Sequence, residues 1–240
     1  MPSPTDGKNG PENQRSQGQG LEQHMGNLIR HHTVAQGADT CDYWYIGDRE
    51  KGRKGKKMSE DIIVRNCSPT LAGMKTGNMF SCHFADMDEM RGSVRHWNHI
   101  LGEKGLRFLP LTYKNDRALV YVYRVSRLSR DLKDNVACRL LKERGYETET
   151  PERCIVQLIR RLEECDEFPH EIGLFLGYPP EDVEGFIENR AQGCKLVGCW
   201  KVYGNEENAR IIFAKYKKCT DVYIAEFAGG RSVERLTVAG

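Results

Sequence analysis

No stretch of this chain approaches the roughly 20 consecutive apolar residues of a membrane-spanning helix. The basic-then-apolar pattern of a secretory signal is also missing from the N-terminus. Both absences predict a cytoplasmic protein without a membrane role, in which the nine cysteines are mostly reduced thiols and not a disulfide framework. Charge of one sign is not in surplus either, since 36 Lys/Arg face 34 Asp/Glu. Beyond residue 57 the two signs are equal at 27 each, so no bulk counterion release favours nucleic acid as a partner. Neither a GxGxxG after a strand nor a P-loop occurs, which leaves nucleotide binding without a motif. No internal repeat is visible.

What is present is unevenly distributed. Hydrophobic residues make up 39% of the chain, and nearly all of the core-forming sequence follows residue 57. Residues 1–57 are rich in Gly, Gln, Asn and Lys and are expected to form a disordered arm, because they bury too little apolar surface to offset the entropy of ordering. The run Glu50-Lys51-Gly52-Arg53-Lys54-Gly55-Lys56-Lys57 has three readings: a plain flexible tail, a basic functional arm, or a translated ribosome-binding site, since purine-only codons can encode all of it. The last makes Met58 the natural start and the arm not natively translated.

From Met58 on, the pattern predicts one domain, residues 58–240. Met58–Asn66 reads as a short helix or strand, broken where Pro69 restricts its predecessor. A strand is expected over Asn78–Phe84. Asp86 with Glu89 resembles a capping box, and Met90, Val94, Trp97 and Leu101 recur at helical spacing. Leu106–Tyr113 and Ala118–Val125 read as a hairpin turning at Lys114-Asn115-Asp116, with Pro110 demoting the first strand to an edge. Leu128, Leu132, Val136 and Leu140 mark a helix ended by Gly145. Thr150 and Pro151 start another. A short apolar helix follows Phe168-Pro169, and one more runs from Pro180 to Asn189. Leu196–Tyr203 reads as a strand, Asn205 caps a helix, and the tail from Asp221 reads as strand. The irregular alternation predicts an α+β or α/β class, a mixed β-sheet packed by several helices.

Two segments concentrate reactive and backbone-shaping residues. Cys67–Cys82 carries a thiol, hydroxyls and Lys75 in what reads as a loop. Cys67 is a candidate nucleophile, with His170 as proton acceptor and Glu171 orienting the imidazole; the alternative is that Cys67 and Cys82 are buried packing residues. The second segment, Phe168–Tyr178, carries His170 at a helix start, where it serves either as a base or as a partner of backbone groups. A small ligand would meet Thr70, Gly73, Lys75, Thr76, Asn78, Phe168, Tyr178, Trp200 and Tyr203. A metal would draw on Cys165, His170, Cys194 and Cys199, though these spacings are looser than C-x2-C pairs. A protein partner would use the apolar Phe175–Pro179 surface.

Three motifs, Cys67-Ser-Pro-Thr-Leu-Ala-Gly-Met-Lys-Thr-Gly-Asn-Met-Phe80, the Phe168–Tyr178 stretch with Glu181–Ile187, and Cys199-Trp200-Lys201-Val202-Tyr203, resemble a family of uncharacterised proteins found mainly in anaerobic Gram-positive bacteria, a domain of unknown function. The resemblance spans about Met58 to Val238. It implies a start near Met58 and carries over no activity, cofactor or catalytic set. The readings that remain are a small-ligand- or metal-binding accessory protein, a thiol enzyme, and a partner-binding module.

Overall fold

The computed structural model describes residues 58–164 and 168–240. The N-terminal arm and Cys165 lie outside the described residues, which belong to one compact unit.

The strand Arg117–Arg124 (β3) shows why the domain is layered. Ala118, Val120 and Val122 enter one apolar cluster, while Leu119, Tyr121 and Tyr123 enter a second, as the two-residue period of a strand requires. A strand buried on both faces sits at the centre of its sheet. Gly77–His83 (β1) and Leu106–Lys114 (β2) pair with it on either side, in the order β1-β3-β2, and both pairings are antiparallel. Asn115 and Asp116 turn the hairpin with φ of 51° and 58°, the conformation that Asn and Asp tolerate in two-residue loops. Pro110 is on the edge strand, where its missing N–H costs no ladder bond, and the register shifts between Pro110 and Thr112.

Helices cover both faces. On the first lie Glu60–Leu71 (α1), Met87–Leu101 (α2) and the later Val233–Leu236 (α9), contributing Ile63, Val64, Cys67, Leu71, Val94, Trp97 and Leu236. On the second lie Val125–Asp131 (α3), Asn135–Glu143 (α4), Pro151–Glu164 (α5), Ile172–Phe175 (α6) and Pro180–Glu188 (α7). A small hairpin, Leu196–Val197 (β4) with Lys201–Val202 (β5), leads into the long helix Glu206–Ala228 (α8). Trp200, Val202 and Ala209 form a third cluster there.

Helices packed on a sheet in an α+β arrangement match the sequence expectation. Asp86 accepts from the Glu89 amide at 2.8 Å and Glu89 reaches back to the Ala85 amide at 2.6 Å, so the expected capping arrangement is present. Four local expectations need correction. Pro69 lies inside α1, not after it. It occupies the last turn, where the lost N–H costs one bond and burial of Cys67, Ser68, Thr70 and Leu71 outweighs it. The helix expected through Leu140 is two helices, because Asp134 caps α4 by accepting from the Val136 and Ala137 amides. The strand expected over Leu196–Tyr203 folds back on itself at Gly198–Trp200. From Asp221 the chain is helical through Ala228, completing α8, and the short helix α9 follows.

Candidate functional site

The first motif ends α1 and then reverses. Gly73 has φ of +71°, the Gly73 amide donates to Thr70 O at 3.1 Å, and the Met74 amide donates to Pro69 O at 2.8 Å. These two bonds around a left-handed glycine are a Schellman turn. The Lys75 amide also donates to Pro69 O, at 3.0 Å, which fixes the backbone at Lys75. Thr70 Oγ1 donates to Asn78 Oδ1 at 2.6 Å and ties the two ends of the turn together.

Arg124, at the end of β3, covers the carbonyls that the helix end leaves open. Its Nε donates to Thr70 O at 2.7 Å, and Nη2 donates to Leu71 O at 2.6 Å and to Val238 O at 2.7 Å. This guanidinium is 2% exposed and, among the described residues, pairs with carbonyls and no carboxylate. A cation at a helix C-terminus is favoured by the helix dipole, which supplies the missing negative partner.

The second motif is brought to the first by the sheet. Tyr121 Oη, wholly buried on β3, donates to Phe175 O at 2.5 Å. Gly177 follows with φ of +73°, and its α-carbon stands so close to Thr76 that an added Cβ would lie 2.5 Å from Thr76 Oγ1. Tyr178 then stacks on Trp200 with ring centroids 5.0 Å apart, and Trp200 meets Phe213 edge-on at 4.6 Å. Trp200 is fixed in turn by Asp182, whose Oδ2 accepts from Trp200 Nε1 at 2.7 Å while Oδ1 accepts from the Tyr203 and Gly204 amides, each at 2.7 Å.

A cavity of about 300 Å³ opens where these elements meet. Its lining combines Met74, Lys75 and Thr76 with Leu174 and Gly177–Pro180, with Arg127, Arg130 and Asp131 of α3, with Asp134, and with Tyr216 of α8. Lys75 is 6% exposed, and its Nζ stands 5.2 Å from the centroid of the Tyr178 ring. Burial lowers its pKa to about 8, against the opposing influence of Cys199 and Cys67. Among the described residues Lys75 has no hydrogen-bond or ion-pair partner for its ammonium. Tyr216 is pushed up to about 12, chiefly by burial.

The expected residues divide sharply. Lys75, Thr76 and Tyr178 line the cavity. Thr70, Gly73 and Asn78 shape the turn beneath it. Trp200 supports Tyr178 from behind, and Tyr203 donates its amide to Asp182 while its buried hydroxyl finds no hydrogen-bond partner among the described residues. Phe168 packs against the core of the second face.

Cys67 is fully buried within the α1 core, not in a loop, and burial pushes its thiol well above the ordinary range. That direction is opposite to the lowering a nucleophilic thiolate needs. His170 sets its ring edge-on to Phe186 at 5.0 Å. Glu171 is buried and accepts from Tyr146 Oη at 2.9 Å, with Arg161 Nε at 2.8 Å and Arg144 Nε at 3.7 Å. Phe175 and Leu176 face the core, because α6 turns its apolar side to the sheet, so the apolar surface expected over Phe175–Pro179 is reduced to Gly177–Pro179. Among the described residues no group of three or more His, Cys, Asp or Glu side chains is arranged to hold a metal, and Cys194 and Cys199 lie partly exposed around the β4–β5 hairpin.

Sequence reasoning missed Arg127, Arg130, Asp131 and Asp134, which look like the solvated side of an amphipathic helix, and Tyr216, which reads as a core position. No helix among the described residues is long and apolar enough to cross a membrane. The model of a family described as a protein of unknown function (DUF3793) matches residues 63–237. No curated protein and no solved structure matches the chain.

Proposed function

We propose that the chain, which belongs to the DUF3793 family, is a small-molecule-binding protein whose ligand occupies the cavity between Lys75–Thr76 and Gly177–Tyr178. One observation carries this reading: a buried lysine that, among the described residues, has no hydrogen-bond or ion-pair partner faces a cavity built jointly by the first two motif segments, with the third, at Trp200, packed behind Tyr178. Buried amines in structural roles are paired, because leaving a charge unpaired away from water is costly. The volume sits at the lower end of the ~300–1,000 Å³ range of small-molecule sites, and the lining mixes apolar and aromatic walls with a few polar groups as such sites do.

The geometry supports different roles for the other candidates. Cys67 behaves as a small buried hydrophobe. Glu171, fully engaged by Tyr146, Arg144 and Arg161, reads as a structural carboxylate that closes the end of the second layer.

Native mass spectrometry of the protein purified from its own host tests the proposal. A stoichiometric small-molecule adduct that disappears in Tyr178→Ala is the expected result. A clean apo mass from freshly prepared wild-type protein counts against it.

A further inference from the structure

The charges around the cavity are not equally free. Asp131 accepts from Thr76 Oγ1 and is held by Arg130 through Nε at 3.0 Å and Nη2 at 2.9 Å. Asp134 is occupied by the Val136 and Ala137 amides at the start of α4. Both acids are therefore committed to the protein, and Arg130 is committed with them. Two lining cations are left, Lys75 and Arg127, and neither has a hydrogen bond or ion pair among the described residues. Arg127 is half-buried on α3 and Lys75 is buried in the turn after α1, so the two cations reach the cavity from separate elements.

The uncommitted charge of the site is positive, and its walls are Met74, Leu174, Tyr178, Pro179 and Tyr216. A ligand complementary to both features has a negatively charged head and an apolar or aromatic body. A guanidinium and an ammonium converging on one space suit the oxygens of a carboxylate or phosphate, with charge-assisted hydrogen bonds roughly twice as strong as neutral ones. A cationic ligand would find both acids already occupied and would add a like charge next to Lys75.

We infer that the cavity binds a small organic oxyanion, a carboxylate or a phosphate ester, whose charged group is neutralised by Lys75 and Arg127 and whose apolar body lies against Tyr178. This rests on the small-molecule reading of the same cavity. An anion in place would also restore the favourable state of the buried ammonium, in keeping with the depressed pKa of Lys75 in its absence.

The test is a titration of the full chain, at matched ionic strength, with benzoate, phenyl phosphate, inorganic phosphate, benzyl alcohol and benzylamine, read by Trp fluorescence and thermal shift. The expected result is saturable binding of benzoate or phenyl phosphate, weakened at least tenfold in Lys75→Met and in Arg127→Leu. Preference between benzoate and phenyl phosphate distinguishes the two head groups, and binding of inorganic phosphate with the same dependence on both residues shows that the head group suffices. Benzylamine or benzyl alcohol binding as well as the anions would overturn the oxyanion assignment and leave the small-molecule reading standing. Binding by no probe would count against both. Anion binding unchanged in the two variants, with both folded by circular dichroism, would also overturn the inference.

Discussion

Lys75 Nζ stands 5.2 Å from the centre of the Tyr178 ring, and through this pair the turn after α1 meets the turn after α6. The aromatic face partly compensates an ammonium that burial has stripped of water. The remaining deficit gives the pair its consequences.

Replacing Lys75 should stabilise the unliganded fold. Its folded pKa of about 8 lies below the ordinary 10.5, so the folded state disfavours the proton. Below pH 8 both folded and unfolded chains are protonated and the whole penalty, on the order of 3 kcal/mol, is present. Between pH 8 and 10.5 the unfolded chain binds more protons, so stability rises with pH. Above 10.5 the penalty is gone. Cys67 and Cys199 are the thiols whose charges influence Lys75, and burial keeps Cys67 neutral through this window. Urea unfolding of Lys75→Met at pH 7 should show a gain of about 1–3 kcal/mol that shrinks toward pH 10.

Oxyanion binding should take up protons near pH 8. An anion beside Lys75 raises its pKa, so a fraction of the molecules that were neutral must protonate on binding. Calorimetry with benzoate in two buffers of different ionisation enthalpy should give buffer-dependent heats at pH 8–9 and nearly equal heats at pH 6. Affinity should fall as pH rises beyond 8.

Gly177→Ala should cost more than Gly145→Ala, although both glycines have positive φ, +73° and +80°. A Cβ at Gly145 meets nothing within 4 Å, so only the backbone cost of about 1–2 kcal/mol applies. At Gly177 the same methyl meets Thr76 Oγ1 at 2.5 Å and Thr76 Cβ at 2.7 Å, so the Thr76–Asp131 bond must also give way. Denaturation midpoints of the two variants measure the difference, and a loss of probe binding confined to Gly177→Ala would follow from the displaced Thr76.

Arg124→Met should destabilise the fold by about 3 kcal/mol or more, since it uncovers the Thr70, Leu71 and Val238 carbonyls together in a buried place. Arg124→Lys retains the charge but not the fork geometry and should recover only part of the loss. Hydrogen exchange should quicken at the Met74 and Lys75 amides, which report the turn.

Asp182→Ala should loosen the β4–β5 hairpin. Removing this carboxylate orphans Trp200 Nε1 and the amides of Tyr203 and Gly204, and frees Trp200 to leave its stack with Tyr178. A loss of near-ultraviolet dichroism with retained far-ultraviolet signal is the expected signature, with a cost of about 2–4 kcal/mol.

Wherever one segment's period or turn chemistry was unambiguous, the sequence was readable. The spacing of Met90, Val94, Trp97 and Leu101 and the Asn115-Asp116 turn identify α2 and the β2–β3 hairpin from local pattern alone. Pro69 and Asp134 misled in opposite ways: Pro69 sits inside a helix held by burial, and Asp134 divides a helix whose apolar spacing runs on unbroken. At the site, Lys75, Thr76 and Tyr178 stood out because unusual residues cluster around them, whereas Arg127 and Tyr216 carry no local sign of a shared cavity.

Sequence alone therefore determined that helices and strands are combined, the capped helices, the hairpin and the two segments worth attention, because propensity, capping and turn conformation act within a few residues. Tertiary structure alone decided that β3 lies between β1 and β2, that Tyr121 holds Phe175 so that Gly177 closes on Thr76, and that Lys75 is left without a counter-ion among the described residues. Those outcomes depend on groups many residues apart competing for the same space and the same hydrogen bonds, and a charge becomes unpaired only when the surrounding fold has removed its water.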